Sequence, residues 1–304
     1  MLTLKARLLE RLHESDLLRP LQWQYFANIT VGVIGAFYVL LLGRMLGIHE
    51  FGVYAIVIAT PTLVSNCFDL RLQETIIYLQ SRINADEGID GKTIASIVTI
   101  DLLARLIGFI LSVLVGLLVI AHLGMETGFG IVLIASLSVL VAKAGNSPAM
   151  GILRVWGRLD YFAKCQVSDW SVRILLLLAL QQTGNLGLFS ILVSQVCSAL
   201  FHNGLVVARA NRLFRKEAGS SIFSDLDSVG RTWRAHRPLL LNGQAISISD
   251  SVIKELDTIV IASILSINSA GAYKMAKNFA GIAWRAADPI YIVVLPRLAE
   301  LYGQ

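Results

Sequence analysis

Charged residues are scarce in this sequence, and their scarcity excludes an ordinary soluble domain. Asp, Glu, Lys and Arg make up 15% of the 304 residues, whereas hydrophobic residues make up 55% and the mean hydropathy is +0.67. So little polar surface cannot cover a water-soluble domain of this length. Apolar runs of about 20 residues recur along the chain, and each is long enough to cross a hydrocarbon layer of about 30 Å. We therefore predict an all-α integral membrane protein.

Cysteine is also rare, and the common catalytic motifs are missing. The odd number of cysteines and the lack of CxxC spacing argue against a disulfide framework and against a zinc site; the three are Cys67, Cys165 and Cys197. No nucleotide-binding loop, HExxH or GxSxG motif occurs. Metal-ligand spacing is missing from the five histidines, which are His13, His49, His122, His202 and His236. We predict that the protein is not an enzyme and that it holds no metal and no cofactor.

Eight apolar segments are predicted to span the membrane, and the loops between them set the orientation. The segments lie near 22–43, 52–72, 94–121, 129–149, 162–182, 187–208, 238–264 and 270–295. Lys and Arg concentrate in alternate connections, whereas the loops near 122–127, 181–187 and 266–270 contain neither. The positive-inside rule then places the N-terminus in the cytoplasm of a multi-pass protein of the cell (inner) membrane. The net charge of +5 reflects this topology and does not indicate a nucleic-acid partner.

A short pattern occurs twice in the chain and predicts an internal repeat. The stretch Gly43–Tyr54, GRMLGIHEFGVY, matches ASILSINSAGAY at Ala262–Tyr273 with a constant offset of 219 residues. In the same register Asp69 corresponds to Asp288. We expect a first six-helix lobe and the first two helices of a second, repeat-related lobe. The predicted units are an interfacial amphipathic segment (1–19), the first lobe (20–210), a cytoplasmic linker (211–235) and the start of the second lobe (236–304).

Ionisable residues at membrane depth are the candidates for a functional site. Each costs about 2.5–3.5 kcal/mol at the centre of a helix that faces lipid, so these side chains must face protein or water. Helical spacing predicts two ion pairs, Asp101 with Arg105 and Asp169 with Arg173. No acid is evident near Lys274 and Lys277, which favours a water-filled cavity that attracts anions. The predicted cavity cations are Arg105, Arg173, Lys254, Lys274, Lys277 and Arg285.

A structural interpretation of the same charges stays open. Lys254 and Arg285 lie near the predicted middle of the membrane, where Glu255 and other acids could neutralise them. The acids that are candidates for ion coupling are Asp69, Asp101, Asp169, Asp250, Asp257 and Asp288. Each of the first three could equally be the structural partner of a cation.

Two long stretches resemble a known family. GRMLGIHEFGVYAIVIA, and LDTIVIASILSINSAGAYKMAKNFA followed by DPIYIVVLPRLAEL, resemble the Wzx-type oligosaccharide flippases, a polysaccharide-biosynthesis family of the MOP exporter superfamily. The likeness extends from about residue 20 to residue 304. It implies two six-helix lobes around a central cavity that opens alternately to each side. In that family the cargo is an undecaprenyl-pyrophosphate-linked repeat unit, carried outward with coupling to protons or sodium ions. Members usually have twelve or more spans, whereas about eight are predicted here.

The leading hypothesis is a flippase for a lipid-linked oligosaccharide, with this lipid, the bilayer and polysaccharide synthesis enzymes as partners. The planar guanidinium of Arg donates two parallel hydrogen bonds to phosphate, and Lys supplies a compact charge. A drug/cation antiporter of the same superfamily is an alternative, but it would need an acidic, aromatic-lined cavity. A further alternative is a non-transporting or truncated membrane partner of polysaccharide synthesis enzymes. A membrane glycosyltransferase, polymerase or ligase is disfavoured because the outer loops are too short to hold its site.

Overall fold

The computed structural model describes residues 15–82, 91–218, 222 and 229–285. Almost all of these residues are helical, and none of them belongs to a strand. The helices are α1 (Ser15–Asn66), α2 (Leu72–Arg82), α3 (Gly91–His122), α4 (Phe129–Lys143), α5 (Asn146–Val155), α6 (Leu159–Gln182), α7 (Leu188–Ala218), α8 (Val229–Ser251), a π-helical turn (Val252–Leu256), α9 (Asp257–Ile264) and α10 (Ile267–Arg285).

Four helical segments among the described residues are long and apolar enough to cross a membrane. They are Gln22–Asn66, Gly91–His122, Phe129–Val155 and Leu188–Lys216. The first has 45 residues, which at ~1.5 Å per residue is about twice the thickness of a hydrocarbon layer. These segments indicate a membrane protein. The count of eight spans stays a prediction.

Helix α1 folds back on itself at Gly47. This residue has φ 79° and ψ 164°, a backbone conformation open to glycine and strained for other residues. The two halves of α1 meet, because the Gln195 amide donates to the hydroxyls of both Tyr38 and Tyr54. The predicted segments 22–43 and 52–72 therefore form a hairpin, and the turn at Gly47 is shorter than the gap between them.

Two further breaks interrupt the helices on the N-terminal side of the fold. Helix α1 ends at Asn66 rather than near residue 72, and Arg71 just before α2 has φ 49°. The Asp69 carboxylate accepts a hydrogen bond from the backbone N–H of Arg71 at 3.0 Å, as in an Asx-turn. The predicted segment 129–149 is likewise broken at Gly145, which has φ 73°. The Asn203 amide donates to two carbonyls exposed by this break, one of them Ala144 at 2.9 Å.

A fourth irregularity lies in the predicted segment 238–264. The π-helical turn Val252–Leu256 joins α8 to α9, so one extra residue enters that turn of the helix. Backbone that departs from the α-helix is tolerated at membrane depth where it is buried in protein or lines a water-filled space. The α1–α2 break, the break at Gly145 and the π-helical turn should therefore lie beside such a space.

The hairpin formed by α9 and α10 packs against the hairpin of α1. A Cβ atom on Gly52 would overlap the backbone carbonyl of Ile267, and one on Gly271 would lie 3.0 Å from the carbonyl oxygen of Ile48. The exposed side chains of His49 and Asn268 also meet, with Nδ1 and Oδ1 3.1 Å apart. In each of these contacts, a residue of one hairpin meets a residue from the corresponding stretch of the repeated pattern in the other hairpin.

Helix α8 packs beside the break between α1 and α2. Gly243 approaches the carbonyl of Leu70 so closely that a Cβ atom would lie 2.8 Å from its oxygen. The Gln244 amide donates to the carbonyl of Cys67 at 2.6 Å, and Leu240 is fully buried against Leu70 and Ile97. The end of α1 is therefore a docking point for α8.

The remaining helices form apolar cores inside the bundle, one of which contains Ile76, Val98, Ile152, Phe162 and Phe214. The predicted linker at 211–235 is helical at both ends, because α7 continues to Ala218 and α8 begins at Val229. Most of the predicted interfacial segment 1–19 lies outside the described residues.

Candidate functional site

Three of these helix irregularities surround one polar cavity of about 290 Å³. The break between α1 and α2, the break between α4 and α5, and the end of α8 with the π-helical turn all contribute residues, and α3 contributes Arg105. The cavity is lined by Asn66, Asp69, Arg71, Gln73, Arg105, Lys143, Asn146, Ser147, Met150, Ser247, Asp250, Ser251 and Lys254. Nearly every lining side chain is polar or charged. A polar cavity within apolar helices is where broken helices are expected to occur.

Arg105 holds two carboxylates beside the cavity. Its Nε donates to Asp101 at 2.8 Å and its Nη2 donates to Asp69 at 3.1 Å. The Arg105 side chain is 2% exposed and that of Asp101 is fully buried. The predicted pair of Asp101 and Arg105 is confirmed, and Asp69 joins it from the α1–α2 break.

An ion pair between Arg71 and Asp250 connects the first part of the chain to α8. The Arg71 guanidinium donates to the Asp250 carboxylate across 179 residues of sequence. Both side chains line the cavity and are partly exposed, at 25% and 41%. The left-handed backbone of Arg71 places this side chain at the break, where sequence spacing does not predict it.

Lys143 lies at the last turn of α4, before the break at Gly145. Its ammonium group donates to the side-chain carbonyl of Asn66, a neutral partner. Lys143 takes part in none of the ion pairs formed by the described residues. It also lines a second cavity of about 160 Å³, so it lies between two internal spaces.

Arg173 belongs to this second cavity rather than to the main one. Its Nη2 lies 3.0 Å from the Asp169 carboxylate, so the second predicted i,i+4 pair is confirmed. The guanidinium also lies 5.0 Å from the ring of Trp170, and the Ser198 hydroxyl donates to Asp169. The contacts with Asp169 and Trp170 hold the Arg173 side chain in place.

Lys254 lines the main cavity from the π-helical turn. Its side chain is exposed, and it enters no ion pair among the residues that the structure describes. Its backbone carbonyl accepts a hydrogen bond from the Lys277 ammonium at 2.7 Å. The π-helical turn is therefore stabilised from α10, and the Lys254 side chain stays available to the cavity.

The expectation that Lys274 and Lys277 lack a nearby acid is wrong. Lys274 Nζ lies 2.7 Å from a carboxylate oxygen of Glu255, and Lys277 pairs with Asp257. Neither lysine lines the two cavities described above. Both pairs form because α10 folds back along α9 and the π-helical turn, so residues about equally far from the connection lie side by side.

The acids expected to neutralise Lys254 and Arg285 have other partners. Asp250 contacts Arg71, Glu255 contacts Lys274, and Asp257 contacts Lys277 and the Tyr273 hydroxyl. The side chain of Arg285 and the whole of Asp288 lie outside the described residues. The other five acids proposed for ion coupling each contact a cation, and their role in coupling stays a prediction.

Sequence reasoning missed Arg71 and Lys143. Both were inside predicted spans. Lys143 stands next to residues that can end a helix, Lys143-Ala144-Gly145-Asn146-Ser147-Pro148, whereas Phe68-Asp69-Leu70-Arg71 contains neither glycine nor proline. A signal was therefore present at Lys143, because a cation beside a helix-breaking sequence at membrane depth indicates a water-filled site. No comparable signal predicts that Arg71 reaches Asp250.

The apolar helices and the polar cavity define a membrane protein with an internal, cation-lined site. The sequence pattern of a protein family described as "Polysaccharide biosynthesis protein" matches residues 17–302 of the chain. The chain therefore belongs to the polysaccharide biosynthesis protein family, which is that of the Wzx-type flippases. Members of this family are generally transporters rather than enzymes. The same comparisons find no matching curated protein and no matching solved structure.

Proposed function

We propose that this protein flips a lipid-linked oligosaccharide, carried on undecaprenyl pyrophosphate, from the cytoplasmic to the outer leaflet of the inner membrane. The family supports a transport role in polysaccharide biosynthesis. The observation that carries the proposal is the cavity bounded by three irregular helix segments. Four cations line it, Arg71, Arg105, Lys143 and Lys254, against two acids, Asp69 and Asp250.

Such a cavity suits an amphipathic lipid whose polar group is anionic. The pyrophosphate would contact the cations, the sugars would remain in water, and the isoprenoid tail would stay in the bilayer. Ligand cavities for whole molecules usually measure about 300–1,000 Å³. At about 290 Å³ the cavity is large enough for a charged head group and too small for an oligosaccharide, so the conformation described here would have to open during transport.

The proposed architecture has eight spans, an N-terminus in the cytoplasm and two repeat-related lobes. The reciprocal packing of the two hairpins supports the repeat. Gly52 contacts Ile267, and Gly271 contacts Ile48. At the offset of 219 residues Gly271 corresponds to Gly52 and Ile267 to Ile48, so the two contacts are equivalent. Contacts of this kind are expected around a twofold axis. The hairpins would then close the outer side, and the Arg71–Asp250 pair would connect the lobes nearer the cytoplasm.

The excess of cations disfavours a drug/cation antiporter. A cationic cargo would meet Lys143 and Lys254, which form no ion pair with the acids among the described residues. Repulsion between like charges in a partly dehydrated cavity would weaken its binding. A non-transporting partner of synthesis enzymes would not need such a cavity.

The proposal is tested by reconstituting the purified chain in phosphatidylcholine vesicles with a fluorescent undecaprenyl-pyrophosphate-linked saccharide. We expect the wild-type chain to make the inner-leaflet fluorophore accessible to a membrane-impermeant quencher. Lys254→Gln should slow this at least about tenfold, because a hydrogen bond to a charged group contributes about 1.5–3 kcal/mol. Lys164→Gln is the matched control, since Lys164 is 58% exposed and pairs with Asp160 away from the cavity. Transport of a cationic dye without exposure of the lipid would contradict the proposal and favour the antiporter.

A further inference from the structure

We propose that the basic end of α7, together with the first turn of α6, binds the phosphate group of an anionic membrane phospholipid on the lipid-facing surface of the bundle. Arg209 and Arg212 of α7 would contact the phosphate, and Tyr161 of α6 holds Arg209 in place. None of these three residues lines either of the cavities described above. The site is therefore separate from the polar cavity, and its binding does not depend on the proposed function.

The length of α7 places its arginines at the edge of the hydrocarbon layer. The span Leu188–Lys216 has 29 residues, which at ~1.5 Å per residue is longer than the ~30 Å of that layer. On the same scale Arg209 lies about 30 Å along the helix from Leu188. Aromatic side chains of the kind enriched at the membrane surface occur on two neighbouring helices, Tyr161 on α6 and Trp23 on α1. The arginines are therefore at the depth of the lipid phosphates.

Arg209 is positioned by an aromatic ring rather than by an acid. Its guanidinium carbon lies 5.6 Å from the centre of the Tyr161 ring, and the Tyr161 hydroxyl donates to the carbonyl of Leu205 at 3.4 Å. Arg209 enters no ion pair among the described residues, and its buried Nε has no hydrogen-bond acceptor there. The positive charge is oriented without being neutralised, and a phosphate would supply acceptors for it.

A strip of exposed apolar and small residues leads along α7 to the arginines. Phe201, Gly204 and Ala208 are exposed at helical spacing on one face, and Arg212 follows four residues after Ala208. No other part of the described fold lies within 4 Å of a Cβ atom added to Gly204. A phospholipid whose phosphate contacts Arg212 would therefore place an acyl chain along this open strip.

The local charges favour an anionic lipid over a zwitterionic one. Arg212 is exposed and, like Arg209, enters no ion pair within the part of the chain that the structure describes. On the first turns of α6, Lys164 and Asp160 pair with each other. Phosphatidylglycerol brings a negative charge and no cation, whereas phosphatidylcholine carries its own cation beside the phosphate. Repulsion between that cation and the arginines would weaken binding, and basic pockets between spans are known to bind anionic head groups.

The test measures binding of phosphatidylglycerol to the purified full chain in neutral maltoside micelles by native mass spectrometry. Phosphatidylcholine with the same acyl chains is the reference lipid. We expect wild type to prefer phosphatidylglycerol about tenfold, and Arg209→Gln to lose most of this preference, because charge-assisted hydrogen bonds to phosphate are strong. Arg212→Gln should lower it about threefold, since its side chain is more exposed to water. Lys164→Gln is the charge-matched control and should keep the preference, because Lys164 already pairs with Asp160.

Two substitutions of Tyr161 keep both arginines and separate a built site from a general attraction. Tyr161→Leu should lower the preference as much as Arg209→Gln does, because it removes the ring that orients the guanidinium group. Tyr161→Phe keeps the ring and should stay within about threefold of wild type. Equal losses in Arg209→Gln and Lys164→Gln would overturn the proposal, because they would indicate diffuse positive charge. Equal binding of the two lipids by wild type would overturn it as well.

Competition identifies the source of the phosphate. Inorganic phosphate should not displace phosphatidylglycerol, because it has no acyl chain, and Gly204→Leu should weaken binding of the lipid by filling the strip. Displacement by inorganic phosphate would overturn the proposal. So would tighter binding of undecaprenyl pyrophosphate that Arg209→Gln abolishes, since the site would then serve the cargo. None of these measurements involves transport, so a chain that fails to flip lipid but binds phosphatidylglycerol as expected would refute the proposed function alone.

Discussion

The hairpin of α1 and the hairpin formed by α9 and α10 have matching turns and different polar contacts. In sequence, Gly47 corresponds to Ser266 at the offset of 219 residues, and the helices are interrupted at both places. Gly52 and Gly271 bring the two hairpins into backbone contact. The turn and the docking surface are therefore common to both.

The polar contacts next to the two turns differ in kind. In the first hairpin the hydroxyls of Tyr38 and Tyr54 share the neutral Gln195 amide. In the second, Tyr273, which corresponds to Tyr54, donates to Asp257, and Asp257 also pairs with Lys277.

The residues that dock the two hairpins are therefore distinct from the polar residues beside the turns. Small residues allow the close approach in both cases, whereas only in the second hairpin does the tyrosine contact an ion pair, that of Asp257 and Lys277. The lysines of the second hairpin pair with acids of α9 and of the adjoining π-helical turn, whereas the cations of the cavity come from α3, from the helix breaks and from the π-helical turn. A lysine in a predicted span is thus a poor indicator of a binding site until its neighbours are known.

The largest effect is expected from filling the shared contact between the hairpins. Gly52→Ala should lower the free energy of unfolding by about 1–3 kcal/mol, because the new methyl group overlaps backbone that cannot rotate away. Gly271→Ala should have a smaller effect in the same direction, since its nearest backbone atoms are 3.0 Å away. Thermal melting followed by size-exclusion chromatography in detergent measures both.

Gly204→Ala in α7 is the control for these two variants, because no atom lies within 4 Å of its added methyl group. It should be neutral or slightly stabilising, as alanine is in a helix interior. Equal stability of all three variants would show that the hairpins do not dock as described.

A smaller effect is expected from the ionic contact that distinguishes the second hairpin. A double-mutant cycle of Asp257→Asn and Lys277→Met should give a coupling free energy of about 1 kcal/mol, because the pair is only about a third exposed. The corresponding cycle of Tyr54→Phe and Gln195→Leu should be insensitive to salt, whereas the ionic cycle should weaken as salt is raised. A coupling near zero for Asp257 and Lys277 would leave Lys277 available to the cargo, as the sequence analysis expected.

The smallest effect is expected at the exposed contact between His49 and Asn268. His49→Ala should change the free energy of unfolding by less than about 0.5 kcal/mol, because surface hydrogen bonds exchange readily with water. Asn268→Ala should match it, and the melting temperatures of the two variants should agree. A larger loss in either variant would mean that this contact stabilises the docking of the hairpins.

Local patterns predicted much of the fold and part of the site. The hairpin turn followed from its repeated sequence, and the pairs Asp101–Arg105 and Asp169–Arg173 followed from helical spacing, since both depend on residues close in the chain. The pairing of Lys274 with Glu255 could not be read in this way, because it depends on the exact register of α10 against α9. The cavity cations Arg71 and Lys143 were missed for a similar reason: hydropathy treated residues 52–72 and 129–149 as continuous spans and hid the breaks within them.

The sequence by itself determined a membrane protein of the polysaccharide biosynthesis family, a hairpin pattern that occurs twice, and the presence of charge at membrane depth. Composition and short-range periodicity are enough for the membrane class and the buried charge, because apolar length and helical spacing are local properties. The family follows from the resemblance of two long stretches and the match over residues 17–302. Only the tertiary structure decided which charges are neutralised and which line the cavity. Ion pairs such as Arg71 with Asp250 join residues 179 positions apart, and their formation depends on where each helix breaks and how the two hairpins pack.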